Sequence, residues 1–216
     1  MYNGRVTVGG PADVHELGDL IISKLAVGPY DNNSYLLRCR STGDQILIDA
    51  AADPDRLLDL IGPDGLSLII TTHRHPDHWQ ALSTIAERTG APTAAHVDDA
   101  PGIPVRTDIL LNDDDRLEVG DCALDVIHLV GHTPGSIALL YDDPDGAPHL
   151  FTGDCLFPGG VGKTHTPEDF DSLLTGVVAR VFNQLPDETW VYPGHGADTT
   201  IGAERPSLAE WKERGW

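Results

Sequence analysis

The chain alternates between short, nearly continuous apolar runs and amphipathic stretches punctuated by glycine and proline. "LIISKLAV", "SYLLRC", "QILIDA", "LSLIITT", "PTAAHV", "CALDVIHLV", "SIALLY", "HLFTG" and "TWVYPG" read as β-strands. Several are apolar enough to be buried on both faces. Helical segments lie between them. "DPDRLLDLI" opens on Asp53 as N-cap, with Pro54 at the first helical position. "TPEDFDSLLTGVVARVF" repeats that logic with Thr166 and Pro167, and Asp169 follows at the third helical position. "HWQALSTIAERTG" reads as one helix ended by Gly90, and "SLAEWKERG" as a C-terminal helix. Strands covered by helices on both sides indicate a layered α/β protein. From about residue 117 to 152 the strands follow one another with no helix between them. That clustering disfavours a doubly wound sheet and favours two sheets sandwiched between helix layers.

Composition narrows the picture. With 216 residues, 40% of them hydrophobic, one domain over residues 1–216 with a sizeable core is expected. No apolar run approaches membrane length, and "MYNGRVTVGGPADV" lacks a basic start and a hydrophobic core, so a cytoplasmic location is expected. Cys39, Cys122 and Cys155 are far apart and show no CxxC spacing, which argues against a disulfide framework or a zinc ribbon. The formal charge of −20 repels polyanions and makes nucleic acid and anionic membranes poor partners. The runs "NDDDR" and "DDPDG" lack calcium-loop spacing and read as solvated loops.

Chemistry concentrates just after the apolar runs. "THRHPDH" follows "LSLIIT", "GHTPGS" follows "LDVIHLV", "TGDCLF" follows "HLF", and "PGHGAD" follows "TWVY". Loops at strand ends converge on one edge of a sheet, which would bring together His73, His75, Asp77, His78, His132, Asp154 and His195. Seven such groups are too many for one tetrahedral zinc and suit two divalent ions sharing a carboxylate. His73 and His75, two apart, point to the same side of an extended segment. Pro76 suits a helix start that aims Asp77 and His78 at the second ion. Two ions against two carboxylates and a hydroxide leave a net positive cluster, which would attract a carbonyl oxygen or an anion.

These motifs resemble the metallo-β-lactamase fold superfamily and, within it, the glyoxalase II-like hydrolases. "THRHPDH", "GHTPGS", "GDCLF" and "YPGHG" match four family motifs in order over roughly residues 20 to 202. The resemblance implies an αββα sandwich, with His73, His75 and His132 on one metal, Asp77, His78 and His195 on the other, and Asp154 bridging. Gln80 and Ala81 stand where that family usually has a glycine pair, and Cys155 where threonine is common. The chain ends soon after His195, as in the short single-domain members that lack a glutathione-binding helical domain.

The activity implied is hydrolysis of a hydroxyacyl thioester by hydroxide formed on two ions, zinc first and iron or manganese as alternatives. Asp77 is expected to orient the water as well as bind metal. Thioesters suit such a site because a thiol leaving group, with a pKa near 8.5, departs without a strong acid. "FPGGVGKT" is no P-loop, since Phe157 stands where GxxxxGK[ST] requires glycine. It reads as a pocket wall, with Lys163 and His165 as candidate substrate contacts. Rival readings are a persulfide dioxygenase with one iron on His73, His132 and Asp154, a lactone hydrolase, and a silent metal-binding scaffold. His15, His96, His128 and His149 read as structural, Trp79 as packing beside the site, and Cys155 as a small buried residue. The sequence is silent on oligomeric state.

Overall fold

The protein is described by a computed structural model covering residues 2–215. Its first sheet runs in the order β1 (Asp13–Glu16), β2 (Leu20–Val27), β3 (Asn32–Cys39), β4 (Gln45–Ile48), β5 (Leu68–Ile70), β6 (Thr93–His96) and β7 (Ile109–Leu111). The strands pair antiparallel up to β4 and parallel from β4 to β7. The second sheet contains β8 (Arg116–Val119), β9 (Cys122–His128), β10 (Ile137–Tyr141) and β11 (His149–Gly153), joined by β14 (Trp190–Pro193) and β15 (Thr199–Thr200). The glycine loop forms a small hairpin, β12 (Leu156–Phe157) with β13 (Gly160–Val161).

Side-chain alternation explains why the strands look continuously apolar. In β4, Ile46 and Ile48 face the second sheet, while Leu47 faces the opposite way. β10 mirrors this, with Ile137, Leu139 and Tyr141 inward and Ala138 outward. The outer face of the first sheet is covered by α1 (Pro54–Ile61) and α2 (Leu82–Thr89) through Leu57, Ile61, Leu82 and Ile85. The outer face of the second sheet is covered by α3 (Pro167–Val177), with Ile201 of α4 (Ile201–Glu204) and Trp211 of α5 (Leu208–Arg214). Three apolar layers between four layers of elements make the expected αββα sandwich. No helix among the described residues is long and apolar enough to cross a membrane.

Local signals were met unevenly. Thr166 caps α3 by accepting from the Asp169 N–H, and Gly90 ends α2 in the left-handed region, both as expected. Asp53 precedes α1 but does not cap it with its side chain. It sits at φ 49°, and its carboxylate accepts the N–H of Gly28 instead. The helix expected from His78 onward is split. Pro76–His78 forms one tight turn, and Trp79, at φ −139°, separates it from α2.

Ile46, fully buried between the sheets, tests the central layer. Ile46→Ala should lower the unfolding free energy by about 2–5 kcal/mol in a denaturant titration. Leu110→Ala, at a half-exposed edge position, should change it by less than about 0.5 kcal/mol.

Candidate metal centre

The ligand-bearing loops leave the C-terminal ends of β5, β9, β11 and β14, and the backbone welds them together. Ile137 at the start of β10 donates to the Thr72 carbonyl across the two sheets at 3.0 Å. From β3, the Asn33 N–H donates to Gly194 O at 2.7 Å, and the Tyr35 hydroxyl donates to Pro193 O at 2.7 Å. Lys24 of β2, fully buried, donates to Gly4 O, to Gly196 O and to the Asp198 carboxylate. The N-terminal segment is thereby strapped to the turn that follows His195. Two motif glycines are required by close approach. A Cβ on Gly194 would lie 2.2 Å from Asp154 Oδ1, and one on Gly153, at φ 47°, would lie 2.6 Å from Thr72 Oγ1.

All seven candidate ligands converge. His75 Nδ1 lies 2.9 Å from His132 Nε2, which lies 3.2 Å from His73 Nε2. His78 Nε2 and His195 Nε2 are 3.2 Å apart, and Asp77 Oδ2 is 3.3 Å from the latter. Asp154 stands between the two triads. Its Oδ1 faces His78 at 3.4 Å, and its Oδ2 faces His195 at 3.4 Å and His132 at 3.5 Å. His73–His75–His132 and Asp77–His78–His195 each bring three donor atoms within 4.8 Å of one another, as do His73, His78 and Asp154.

The imidazoles are aimed by their outward nitrogens. His78 Nδ1–H donates to Asp49 at 2.8 Å, His132 Nδ1–H to the Lys163 carbonyl at 2.7 Å, and His195 Nδ1–H to the Tyr30 carbonyl at 2.8 Å. Such bonds fix the ring orientation and, in the neutral ring, leave Nε2 as an inward lone pair. Asp77 is held by the Asn32 amide at 3.0 Å. A divalent cation fits this donor set on two observations. Inward nitrogens about 3 Å apart repel unless a positive charge lies among them, and the buried Asp154 Oδ1 has no hydrogen-bond partner. The chemistry of five imidazoles and two carboxylates suits divalent metals.

Charge balance points the same way. Burial disfavours ionisation of Asp154, but the charge on His78 and the proximity of His195 to its other oxygen hold its carboxyl well below the usual range. Burial pushes His78 down, yet Asp49 and Asp154 outweigh it and raise its pKa to about 10. His195 is likewise raised to about 10, because Asp154 and Asp77 outweigh its burial. His73 goes the other way, held neutral by burial and by the charge of His78.

The secondary candidates divide. His165 lines a cleft of about 230 Å³ beside His75 and His132, together with Arg74, Val130, Pro134 and Asp169. The Lys163 side chain is exposed and does not line that cleft; it is its carbonyl that anchors His132. Trp79 packs against the outer core of the first sheet and donates its indole N–H to the Arg74 carbonyl, but lies before α2 and not within it; Cys155 is fully buried, as expected. Two residues escaped the sequence reading. Asp49, closing the apolar run "QILIDA", accepts from the Thr72 N–H and hydroxyl as well as from His78. Asp99 accepts from Arg74 N–H, the Thr133 hydroxyl and Gly135 N–H, joining the loops of His73 and His132. The end of an apolar strand was a usable signal for Asp49, whereas Asp99 carried none.

The description "Metallo-beta-lactamase superfamily" matches residues 27–195, a span that holds every candidate ligand above. The chain belongs to this superfamily. A hydroxyacylglutathione hydrolase from Polaromonas sp. is 32% identical to this superfamily member over 180 residues, 82% of this chain and 66% of its own length. Among solved structures, ETHE1 from Myxococcus xanthus superposes with a TM-score of 0.75 at 29% identity, covering 89% of this chain and 84% of that one. TTHA1623, solved in a di-iron-bound form, gives a TM-score of 0.69 at 32% identity, covering 84% of this chain and 96% of its own.

In protein stripped by a chelator, the His78–His195 pair is expected to hold added proton at pH 7, because the neighbouring carboxylates raise both pKa values to about 10 from an ordinary 6.5. Metal uptake must displace that proton, so adding zinc in weak buffer should release it and affinity should fall as pH falls. A pH indicator recording no release would contradict this protonation pattern. The same imidazolium–carboxylate pairs stabilise the stripped fold fully below about pH 6.5, a contribution lost as pH rises through about 10. Asp49→Asn should weaken zinc binding about 10–100-fold in chelator competition, since it weakens the acceptor that orients His78.

Proposed function

We propose that this superfamily member is a two-metal hydrolase that cleaves a small acyl thioester of the hydroxyacyl type. The observation that carries the proposal is the position of Asp154 between two complete three-donor sets. His73, His75 and His132 would hold one ion, Asp77, His78 and His195 the other, and Asp154 both. When bound, two divalent ions, zinc in the first instance, supply a Lewis acid for the carbonyl and lower the pKa of water.

The chain's own groups do the rest. Asp77 Oδ2, fixed by Asn32 and facing the centre, is placed to orient the attacking water. The cleft beside His75 and His132 offers Val130 and Pro134 as an apolar wall for an acyl or thiol chain. Arg74 and His165 on the same cleft suit an anionic end, against the −20 charge of the whole chain. Besides the candidate ligands and Arg74, the titratable groups lining the cleft are the exposed His165 and the half-buried Asp169; no fully buried acid stands there beside the centre, which favours a leaving group that departs unaided. A thiol meets that need and an amine does not. The similarity to a hydroxyacylglutathione hydrolase supports the same substrate class.

A second reading, a one-iron persulfide dioxygenase, draws on the mutual proximity of His73, His132 and Asp154, whose donor atoms lie 3.2 to 4.0 Å apart. Metal content and variants separate the two. The hydrolase should hold two ions per chain and turn over one or more members of a thioester panel, with lactones included as competitors. His75→Ala and Asp77→Ala should each lower kcat/KM about 10²-fold or more. One iron per chain, oxygen consumption with a persulfide, and an active Asp77→Ala would replace the hydrolase with the dioxygenase.

A further inference from the structure

We propose that Cys39 and Cys122 form a redox modification site that closes to a disulfide between the two sheets when the chain meets a hydroperoxide. Cys39 ends β3 in the first sheet and Cys122 opens β9 in the second, 83 residues away. Both side chains belong to the apolar layer between the sheets. Their sulfurs lie 4.0 Å apart, with the Cys122 thiol donating to Cys39 Sγ. A disulfide holds its sulfurs about 2.05 Å apart, so each has roughly 1 Å to travel. The turn that leads into β9 already presses on the end of β3. A Cβ on Gly120, at φ 57°, would lie 2.9 Å from both Cβ and Sγ of Cys39, so this approach needs a residue without a side chain.

A line of hydrogen bonds leads protons away from the pair. Cys39 Sγ lies 3.1 Å from Ser41 Oγ, and the Ser41 hydroxyl donates to Asp121 at 2.7 Å. Cys122, Cys39, Ser41 and Asp121 thus connect two buried thiols to an exposed carboxylate. Burial works against ionisation of Cys39, but hydrogen bonds from Ser41, Thr42 and the Asp121 backbone outweigh it and lower its pKa to about 6. Burial and the neighbouring Cys39 push Cys122 up to about 11. Cys39 is therefore the nucleophile and Cys122 the resolving thiol. Ser41, Thr42 and Asp121, which surround Cys39, are exposed turn residues, and Cys122 lines a cleft of about 210 Å³ with Tyr141. A small oxidant has a short way in.

The Cys39 thiolate attacks one oxygen of the hydroperoxide. An S–O bond forms, the O–O bond breaks, and the leaving oxygen takes up the proton that Cys39 gave away. The Cys122 thiol then attacks the sulfenic sulfur. The S–S bond forms, the S–O bond breaks, and hydroxide departs with the Cys122 proton as water. Two thiols lose two electrons, and the hydroperoxide gains them. β3 begins at Asn32, which holds Asp77, and β9 runs toward His132, so the link would fasten the two sheets at the end remote from the metal centre.

The experiment treats the full chain, reduced and freed of reductant, with hydrogen peroxide, then counts thiols in denaturant and maps peptides without reduction. Three free thiols should fall to one, with Cys39 joined to Cys122 and Cys155 unmodified. Intact mass should drop by two hydrogens. The linked chain should melt about 5–10 °C above the reduced one, and dithiothreitol should reverse the shift. Cys122→Ala should form no link, and because the decisive count is made on wild type it stands even where that variant folds poorly. Three thiols surviving a peroxide dose that oxidises the denatured chain would overturn the site. So would added oxygen without a link, a link through Cys155 or between two chains, or a link that lowers Tm.

Discussion

A buried carboxylate surrounded by imidazoles is the constraint on which this structure turns. Asp154 is 9% exposed, and one of its oxygens has no hydrogen-bond partner. A buried anion is tolerated only where positive charge is brought to it in good geometry. Here that charge must come from five rings and whatever they hold, and the rings come from both sheets. Neither sheet could build the centre alone. The cross-sheet bond from Ile137 to Thr72, the grip of β3 on the turn before His195, and the absence of a side chain at Gly153 and Gly194 all bring two sheets' loops within a few ångströms.

Rigidity at the centre is supplied by carboxylates that are not candidate ligands. Asp49 and Asp99 each accept three hydrogen bonds from the ligand loops. Each bond to an ionised acceptor is stronger than a neutral one, and three on one residue fix a loop that has no regular structure of its own. Asp49 adopts a left-handed backbone to do so, at φ 57°. Asparagine and aspartate are the non-glycine residues that tolerate this conformation best. Lys24 performs the same office with the opposite charge, drawing two carbonyls and Asp198 onto one ammonium.

What could be read from the chain follows from how local each signal is. The seven centre residues were legible because they sit just beyond apolar strands at spacings that few other chemistries need. The αββα layering was legible because strand runs cluster between helical ones. The edge strands β1, β7 and β8 were harder: β1 has one apolar residue in four, β7 is only three residues long with Ile109 and Leu110 exposed, and β8 alternates two apolar residues with two charged ones. The helix expected from His78 failed because the turn at Pro76 is spent on aiming two ligands, and the helix can begin only after Trp79 has left that turn. Asp53 looked like a cap from composition but serves Gly28, a partner 25 residues away. Lys163 was noticed for its ammonium, yet it meets the site through its carbonyl, an atom every residue has. His96 and His128, 32 residues apart and on different sheets, become neighbours only once the sheets stack.

The cleft beside the centre is built from the chain neighbours of the ligands themselves. Arg74 lies between His73 and His75, while Gly131 and Thr133 flank His132. Arg74 also lends its N–H, and Thr133 its hydroxyl, to Asp99. A substitution at these positions therefore disturbs the same peptides that place the candidate ligands. Val130, His165 and Asp169 line the cleft without belonging to that lattice of bonds to Asp99. Changes at those three positions leave the bonds to Asp99 intact, whereas changes at Arg74 or Thr133 act on residues that make them.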